Sequence, residues 1–128
     1  MPTDTQTGKK DFLYCDLTYK INGIIIEVHK ELGAYAREKQ FGDLLEKKFK
    51  ERHIVYEREV RIGESGNIAD FIIDGKIVLE LKAQPFLIVE SYDQVKRYLI
   101  QTNLQLGLLV NFRGQRVQIK RVLNPNNY

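Results

Sequence analysis

Two short apolar segments separated by a turn signal constrain the fold of this chain most strongly. Residues 69–73 and 77–82 are rich in Ile, Val and Leu, and the Asp-Gly pair between them is typical of a β-hairpin turn. The sequence therefore predicts two adjacent antiparallel strands. Asp70 lies near the start of the first strand, and Glu80 and Lys82 end the second, so we expect these three side chains at one end of the hairpin.

The length of the turn decides whether the acidic side chains share a face. Side chains alternate along a strand, so Glu80 and Lys82 point the same way. A two-residue turn would place Asp70 opposite Leu79 and on the other face. A three-residue loop places Asp70 opposite Glu80, with Gly75 or its neighbour in a left-handed conformation. That register also collects apolar side chains on one face, which favours it. These side chains are Ala69, Phe71, Ile73, Ile77, Leu79 and Leu81.

Charged groups at the end of an apolar sheet need a partner. Two carboxylates and an ammonium group are costly to remove from water, and a divalent metal ion with a phosphate ligand would supply that partner. A Glu-x-Lys pattern is weak by itself, because it also occurs on exposed strand edges as a solvated pair. The apolar residues around Glu80 favour the functional interpretation, since isolated charges are uncommon in buried strands.

Composition limits the class of protein. The 128 residues, with 43% hydrophobic and 29% charged side chains, are typical of one globular domain. We expect a disordered lead-in over residues 1–12, a single domain over residues 13–123 and a loop-like tail over residues 124–128. No apolar run is long enough to cross a bilayer and no secretory signal is visible, so we expect no membrane contact and a cytoplasmic location. The single cysteine, Cys15, suits a reducing compartment, and the net charge of +3 permits a polyanionic partner.

The spacing of apolar residues predicts the other elements. Asp16 is a candidate N-cap for the first helix, and Gly33 is expected to end it. The predicted order is α-α-β-β-β-α-β-β, an α/β fold in which helices cover a mixed sheet. The predicted helices span residues 17–32, about 41–49 and 89–102, and the predicted strands span residues 54–62, 69–73, 77–82, 106–111 and 116–123.

Polar residues of two helices could join the carboxylates. Gln94 and Tyr98 are four residues apart and so share one face of the third helix, where they could bind a phosphate or form a half-buried polar stripe. Glu38, near the start of the second helix, could point toward the sheet end. A glutamate in the first turn of a helix is also stabilised by the helix dipole without any further role. None of these three residues therefore indicates a site by itself.

The acidic residues and the lysine resemble a known nuclease motif. Asp70, followed ten residues later by Glu80 and then by Lys82, resembles the D…(D/E)xK core of the PD-(D/E)XK nuclease superfamily. Gln94 and Tyr98, as Gln-x-x-x-Tyr, are similar to the helix motif of its RecB-type branch. The resemblance covers residues 17–122 and implies a restriction-endonuclease-like mixed β-sheet flanked by helices.

A second motif resembles one small family within this superfamily. Gly33, Glu38 and Phe41 have the spacing of the GxxExxY family, with Phe41 in place of the usual tyrosine. Ala69 stands where the superfamily has its proline, a position that contributes no ligand. The acidic and lysine positions are intact, which favours a functional metal site.

The resemblance implies a ligand set for Mg²⁺ or Mn²⁺. Asp70 and Glu80 would bind the ion through their carboxylates, and the backbone carbonyl of Leu81 would be a third ligand. Glu38 would complete the acidic cluster, directly or through water.

The resemblance also implies catalytic roles for nearby residues. Lys82 would orient the attacking water or stabilise charge on the phosphorus, with Glu38 close by. Gln94 would position the phosphate or a metal-bound water, and Tyr98 would support it. His29 would at most contact the residues that bind the metal, without binding it itself.

These roles together imply a metal-dependent nuclease that hydrolyses phosphodiester bonds, with DNA favoured over RNA. The alternative is a non-catalytic nucleic-acid-binding protein, or an accessory or defence-system protein, on a nuclease-like scaffold, because fold does not determine function. A homodimer or a protein partner is compatible with both interpretations.

Overall fold

The computed structural model of the protein describes residues 13–64 and 66–126. The predicted lead-in over residues 1–12 lies outside the described residues, as do Ser65 and the last two residues of the predicted tail. The helices are α1 (Cys15–Leu32), α2 (Glu38–Glu51) and α3 (Val89–Thr102), and the strands are β1 (Tyr56–Ile62), β2 (Asn67–Ile73), β3 (Ile77–Lys82), β4 (Leu106–Asn111) and β5 (Gln118–Leu123).

The strands form one mixed sheet in the order β1-β2-β3-β4-β5. β3 and β4 are parallel, and the other neighbours are antiparallel. Because parallel neighbours need a crossover, α3 connects β3 to β4. The predicted α/β fold and the order α-α-β-β-β-α-β-β are therefore confirmed.

The ends of α1 follow from local sequence. Gly33 ends the helix as predicted, with φ +83 and a backbone N–H that donates to the carbonyl of His29. Left-handed φ values are readily adopted by glycine, which has no Cβ. The predicted N-cap was wrong, because Tyr14 occupies that position. Asp16 lies inside the first turn, where its charge favours the positive end of the helix dipole.

Apolar side chains pack on both faces of the sheet. α1 and α2 cover one face and bury aromatic residues such as Phe41 and Phe49 against it. α3 covers the other face, where Val95 and Leu99 pack on β3 and β4 side chains. Truncating a fully buried phenylalanine typically costs about 3–5 kcal/mol, so the α1–α2 layer contributes strongly to holding the sheet in place. None of the helices in the described part of the chain is long and apolar enough to cross a bilayer.

The β2–β3 hairpin has the predicted register. Ile73 pairs with Ile77 across a three-residue loop, and Phe71 pairs with Leu79. The loop residues preceding Lys76 have φ values of 54° and 62°, as the predicted left-handed conformation requires. Asp70 and Glu80 are therefore the next residues on the two strands.

One residue departs from the predicted apolar face. Ala69 packs with the α3 layer, whereas the other five predicted side chains pack under α1 and α2. The change of face occurs at an interruption of the β1–β2 ladder, where Glu59 of β1 has a left-handed φ of 54°. Pairing between β1 and β2 skips this residue and Asp70 opposite it. Beyond that point, Val60 and Ala69 both face α3, so the side chains have changed faces.

Candidate active site

Asp70 and Glu80 are linked directly at the end of the hairpin. The backbone N–H of Asp70 donates to Glu80 Oε1 (3.2 Å), and the backbone N–H of Leu81 donates to Asp70 Oδ2 (2.7 Å). These bonds follow the last ladder pair of β2 and β3, so side-chain oxygens accept where the backbone ladder stops. The two carboxyl groups are consequently held in one orientation by backbone donors.

Burial makes this carboxyl pair reluctant to ionise fully. The side chain of Glu80 is in the interior, and burial followed by the charge of Asp70 raises the pKa of Glu80 to about 8. Burial also raises the pKa of Asp70, although the hydrogen bond from Leu81 acts against it. At neutral pH the pair therefore retains a proton when no cation is present.

Lys82 bridges the carboxyl pair and α3. Its Nζ lies 3.7 Å from Glu80 Oε2 and donates to Gln94 Oε1 at 2.9 Å. Tyr98, one turn beyond Gln94, is buried, and its hydroxyl donates to the carbonyl of Ile68 (3.4 Å). Burial, followed by the negative charges of Glu80 and Asp70, raises the pKa of Tyr98 to about 12. Gln94 and Tyr98 thus share the helix face that is directed at the site.

Glu38 reaches the site from α2. It is the first residue of this helix and is exposed. Desolvation and then the charge of Asp70 raise its pKa, while Lys82 and the backbone N–H of Ala83 act in the opposite direction. Glu38 and Asp70 line one cavity of about 230 Å³. The structure therefore places Glu38 at the rim of the site, with the carboxyl pair deeper.

The carboxylates have the chemistry of a site for a hard cation. Within the described residues, three or more His, Cys, Asp or Glu side chains do not come together closely enough to hold a metal by themselves. Mg²⁺ commonly takes one or two protein carboxylates and completes its shell with water and phosphate oxygens. Asp70 and Glu80 fit that requirement, because a cation would relieve the cost of ionising both.

His29 contacts a loop. Its Nε2 lies 2.9 Å from the carbonyl oxygen of Gly114, in the connection between β4 and β5. An N–H at Nε2 would donate to that carbonyl, so the side chain holds this loop against α1. The contact gives His29 a role in placing this loop.

Arg58 was not identified from the sequence. It lies on β1, half-buried, and forms ion pairs with Asp43 (2.7 Å) and Glu46 (2.9 Å). Gly42 makes room for it, because a Cβ there would lie 2.7 Å from Arg58 Nη2. Arg58 lines the same cavity as Asp70. An arginine at an inward-facing position of an alternating strand is the signal that could have revealed it.

Asn111 was also missed, as the last residue of an apolar run. It pairs with Lys82 in the parallel ladder. Its buried side chain accepts from the Gln84 N–H (3.1 Å) and donates to the Gln84 carbonyl (2.8 Å). The same Oδ1 accepts from the Arg113 N–H (3.4 Å). Asn111 therefore ties the segment after β3 to the segment after β4, at the end of the sheet that carries the carboxyl pair.

The fold and the carboxyl–lysine cluster define a nuclease-like protein, and comparison with known families agrees. The chain matches the PD-(D/E)XK nuclease superfamily over residues 15–122 and belongs to that superfamily. Among solved structures it is similar to the crystal structure of SSO0001, with a TM-score of 0.51 and 22% identity. That match covers 82% of this chain and 66% of the other, and it shows a shared fold. No curated protein matches the chain significantly.

Proposed function

We propose that this protein hydrolyses phosphodiester bonds of nucleic acid with Mg²⁺ or Mn²⁺, and that DNA is its substrate. The observation that carries the proposal is the buried Asp70–Glu80 pair with Lys82 beside it. Membership of the PD-(D/E)XK superfamily supports a nuclease. Assignment to the GxxExxY family within it is part of the proposal and rests on Gly33, Glu38 and the aromatic residue that follows.

The proposed metal ligands are Asp70, Glu80 and the backbone carbonyl of Leu81, with Glu38 joining directly or through water. When bound, a divalent ion would supply positive charge that polarises the phosphate and makes a water molecule a better nucleophile. The positive charge would offset both the burial of the pair and the repulsion between Asp70 and Glu80, so ionising both carboxyl groups would cost less free energy.

The remaining roles follow from the contacts of each side chain. Lys82 is held between Gln94 and Glu80, so its ammonium group is placed to stabilise negative charge developing on the phosphate or to orient the attacking water. Gln94 fixes that ammonium group and offers its amide N–H₂ to a phosphate oxygen. Tyr98 supports Gln94 from the buried side of α3, and His29 acts at a distance by holding the β4–β5 connection.

The proposal includes a cytoplasmic location, which the single cysteine suits. It is compatible with a homodimer or with a protein partner. The two carboxyl groups that carry the proposal come from one hairpin, so a second chain is not needed to bring them together.

Two substitutions separate metal binding from catalysis. Lys82→Ala should abolish cleavage but keep the Mn²⁺-induced rise in melting temperature, because lysine is not a ligand. Asp70→Ala should lose both, and Glu57→Ala, an exposed change on β1, should keep both. A ligand that binds only the folded state, at a hundredfold excess over its Kd, stabilises it by about 2.7 kcal/mol, so thermal melts suffice.

Cleavage should be measured on labelled single- and double-stranded DNA and RNA with Mg²⁺ or Mn²⁺. If wild type cuts none of them and Mn²⁺ does not raise its melting temperature, the enzyme is refuted. Nucleic-acid binding without cleavage or a metal-induced shift would instead identify an accessory or defence-system protein on a nuclease-like scaffold.

A further inference from the structure

Two exposed aromatic side chains lie in the segments that border the candidate site. Tyr35 is 84% exposed and Phe86 is 77% exposed. Tyr35 precedes Glu38 by three residues, and Phe86 follows Lys82 by four residues. Single exposed aromatic residues are ordinary, but two in the segments leading into and out of one site are suited to contact a ligand with flat apolar faces.

Hydrogen bonds and a ring contact connect these two segments through Asn111. The Asn111 side chain binds the backbone of Gln84, two residues before Phe86. It also accepts from the backbone N–H of Arg113. The guanidinium carbon of Arg113 lies 5.5 Å from the centre of the Tyr35 ring. The segment that carries Phe86 is therefore connected to Tyr35 through Gln84, Asn111 and Arg113, at the end of the sheet where Lys82 lies.

Arg113 places a positive charge beside the Tyr35 ring. Its Nε is buried and has no hydrogen-bond partner within residues 13–64 and 66–126. The loop that follows is held by the contact between His29 and Gly114, so the guanidinium group is positioned by its surroundings. Arg113 is only half-buried, and an arginine held against an aromatic face is suited to bind a phosphate next to a stacked base.

We propose that Tyr35 and Phe86 stack on unpaired nucleobases flanking the scissile phosphate, and that Arg113 binds a neighbouring phosphate. The preferred substrate is then single-stranded nucleic acid or an unpaired end. This inference rests on the proposed function and adds the form of the substrate to it. Bases inside a duplex are covered by their neighbours, so only an unpaired strand offers base faces and phosphates together.

Binding can be measured without cleavage in the Lys82→Ala chain with Mg²⁺. Fluorescence anisotropy would compare a labelled DNA strand, its blunt duplex, and the same strand with abasic sites. Tyr35→Ala and Phe86→Ala are added to this chain singly and together. The matched control is Tyr19→Ala. Tyr19 is 80% exposed, but it borders a pocket with Asp74 of the β2–β3 loop, at the end of the hairpin opposite to Asp70 and Glu80.

Tyr35→Ala and Phe86→Ala should each weaken binding of the single strand by about tenfold, the typical effect of losing one base stack. Binding of the blunt duplex should change less than about twofold by the same reasoning, and Tyr19→Ala should change neither. The abasic strand should bind the Lys82→Ala chain weakly. Its affinity should equal that of the intact strand for the Lys82→Ala chain that also carries both Tyr35→Ala and Phe86→Ala. Tyr35→Phe should retain binding, because the ring is what stacks.

The inference is overturned if both alanine variants keep full affinity for the single strand, or if the abasic strand binds as well as the intact one. If wild type cleaves nucleic acid in that case, the proposed nuclease activity is supported and only the proposed substrate preference is refuted. If wild type neither binds nor cleaves any nucleic acid, the proposed function fails and the inference fails with it.

Discussion

Replacing Glu80 by glutamine should stabilise the metal-free protein at neutral pH. Glu80 is only 5% exposed, and burial with the charge of Asp70 raises its pKa from the ordinary 4.5 to about 8. Between these values the folded state keeps a proton that the unfolded chain releases. Because the folded pKa is the higher one, the associated stability is complete below pH 4.5 and is lost as pH rises through 8.

The size of the effect follows from that pKa difference. A pKa shift is equivalent to about 1.36 kcal/mol per pH unit, so the free energy of unfolding falls by about 3 kcal/mol between pH 4.5 and pH 7. Glutamine does not titrate, and its amide can donate to Asp70 as the protonated carboxyl would. Glu80 is mostly protonated at pH 7, so its contact with Lys82 at 3.7 Å is a polar contact, whose loss costs about 1 kcal/mol. We expect a net gain of about 2 kcal/mol at pH 7 and little difference at pH 4.5.

Urea unfolding in EDTA across this pH range measures the effect. The control is Glu46→Gln, which should destabilise the protein, because hydrogen bonds from Tyr56 and Arg58 lower the pKa of Glu46. A difference between wild type and Glu80→Gln that does not grow with pH would refute the reasoning. So would a variant that is less stable than wild type at pH 7.

Two further substitutions test the local geometry around the site. Glu59→Gly should be more stable than Glu57→Gly by about 1–2 kcal/mol in thermal melts, because only Glu59 has a left-handed backbone; equal stabilities would contradict this. Asn111→Ala should lower the free energy of unfolding by about 2–3 kcal/mol, because it leaves the backbone groups of Gln84 without their partner. Urea unfolding measures the second effect, and a loss below about 0.5 kcal/mol would show that water replaces those bonds.

Much of the hairpin could be predicted because its geometry is local. Loop length and side-chain alternation involve only neighbouring residues, and they were sufficient to place Asp70 opposite Glu80. The end of α1 at Gly33 was predictable for the same reason. The helix face shared by Gln94 and Tyr98 follows from their spacing alone.

Contacts between distant segments could not be predicted in this way. Sequence spacing does not show that Glu59 has a left-handed backbone or that Ala69 packs on the other face of the sheet. It also does not show that Arg58 enters the cavity beside Asp70, or that the side chain of Asn111 ties two loops together. Each depends on a partner far along the chain.

The sequence by itself therefore determined the secondary structure, the hairpin register and the acidic pair. Only the tertiary structure decided how deeply that pair is buried, which raises the pKa of Glu80 to about 8. It also decided which residues surround the pair. The physical reason is that alternation and turn geometry arise within a few residues, whereas desolvation and ion pairing depend on every element that packs around a group.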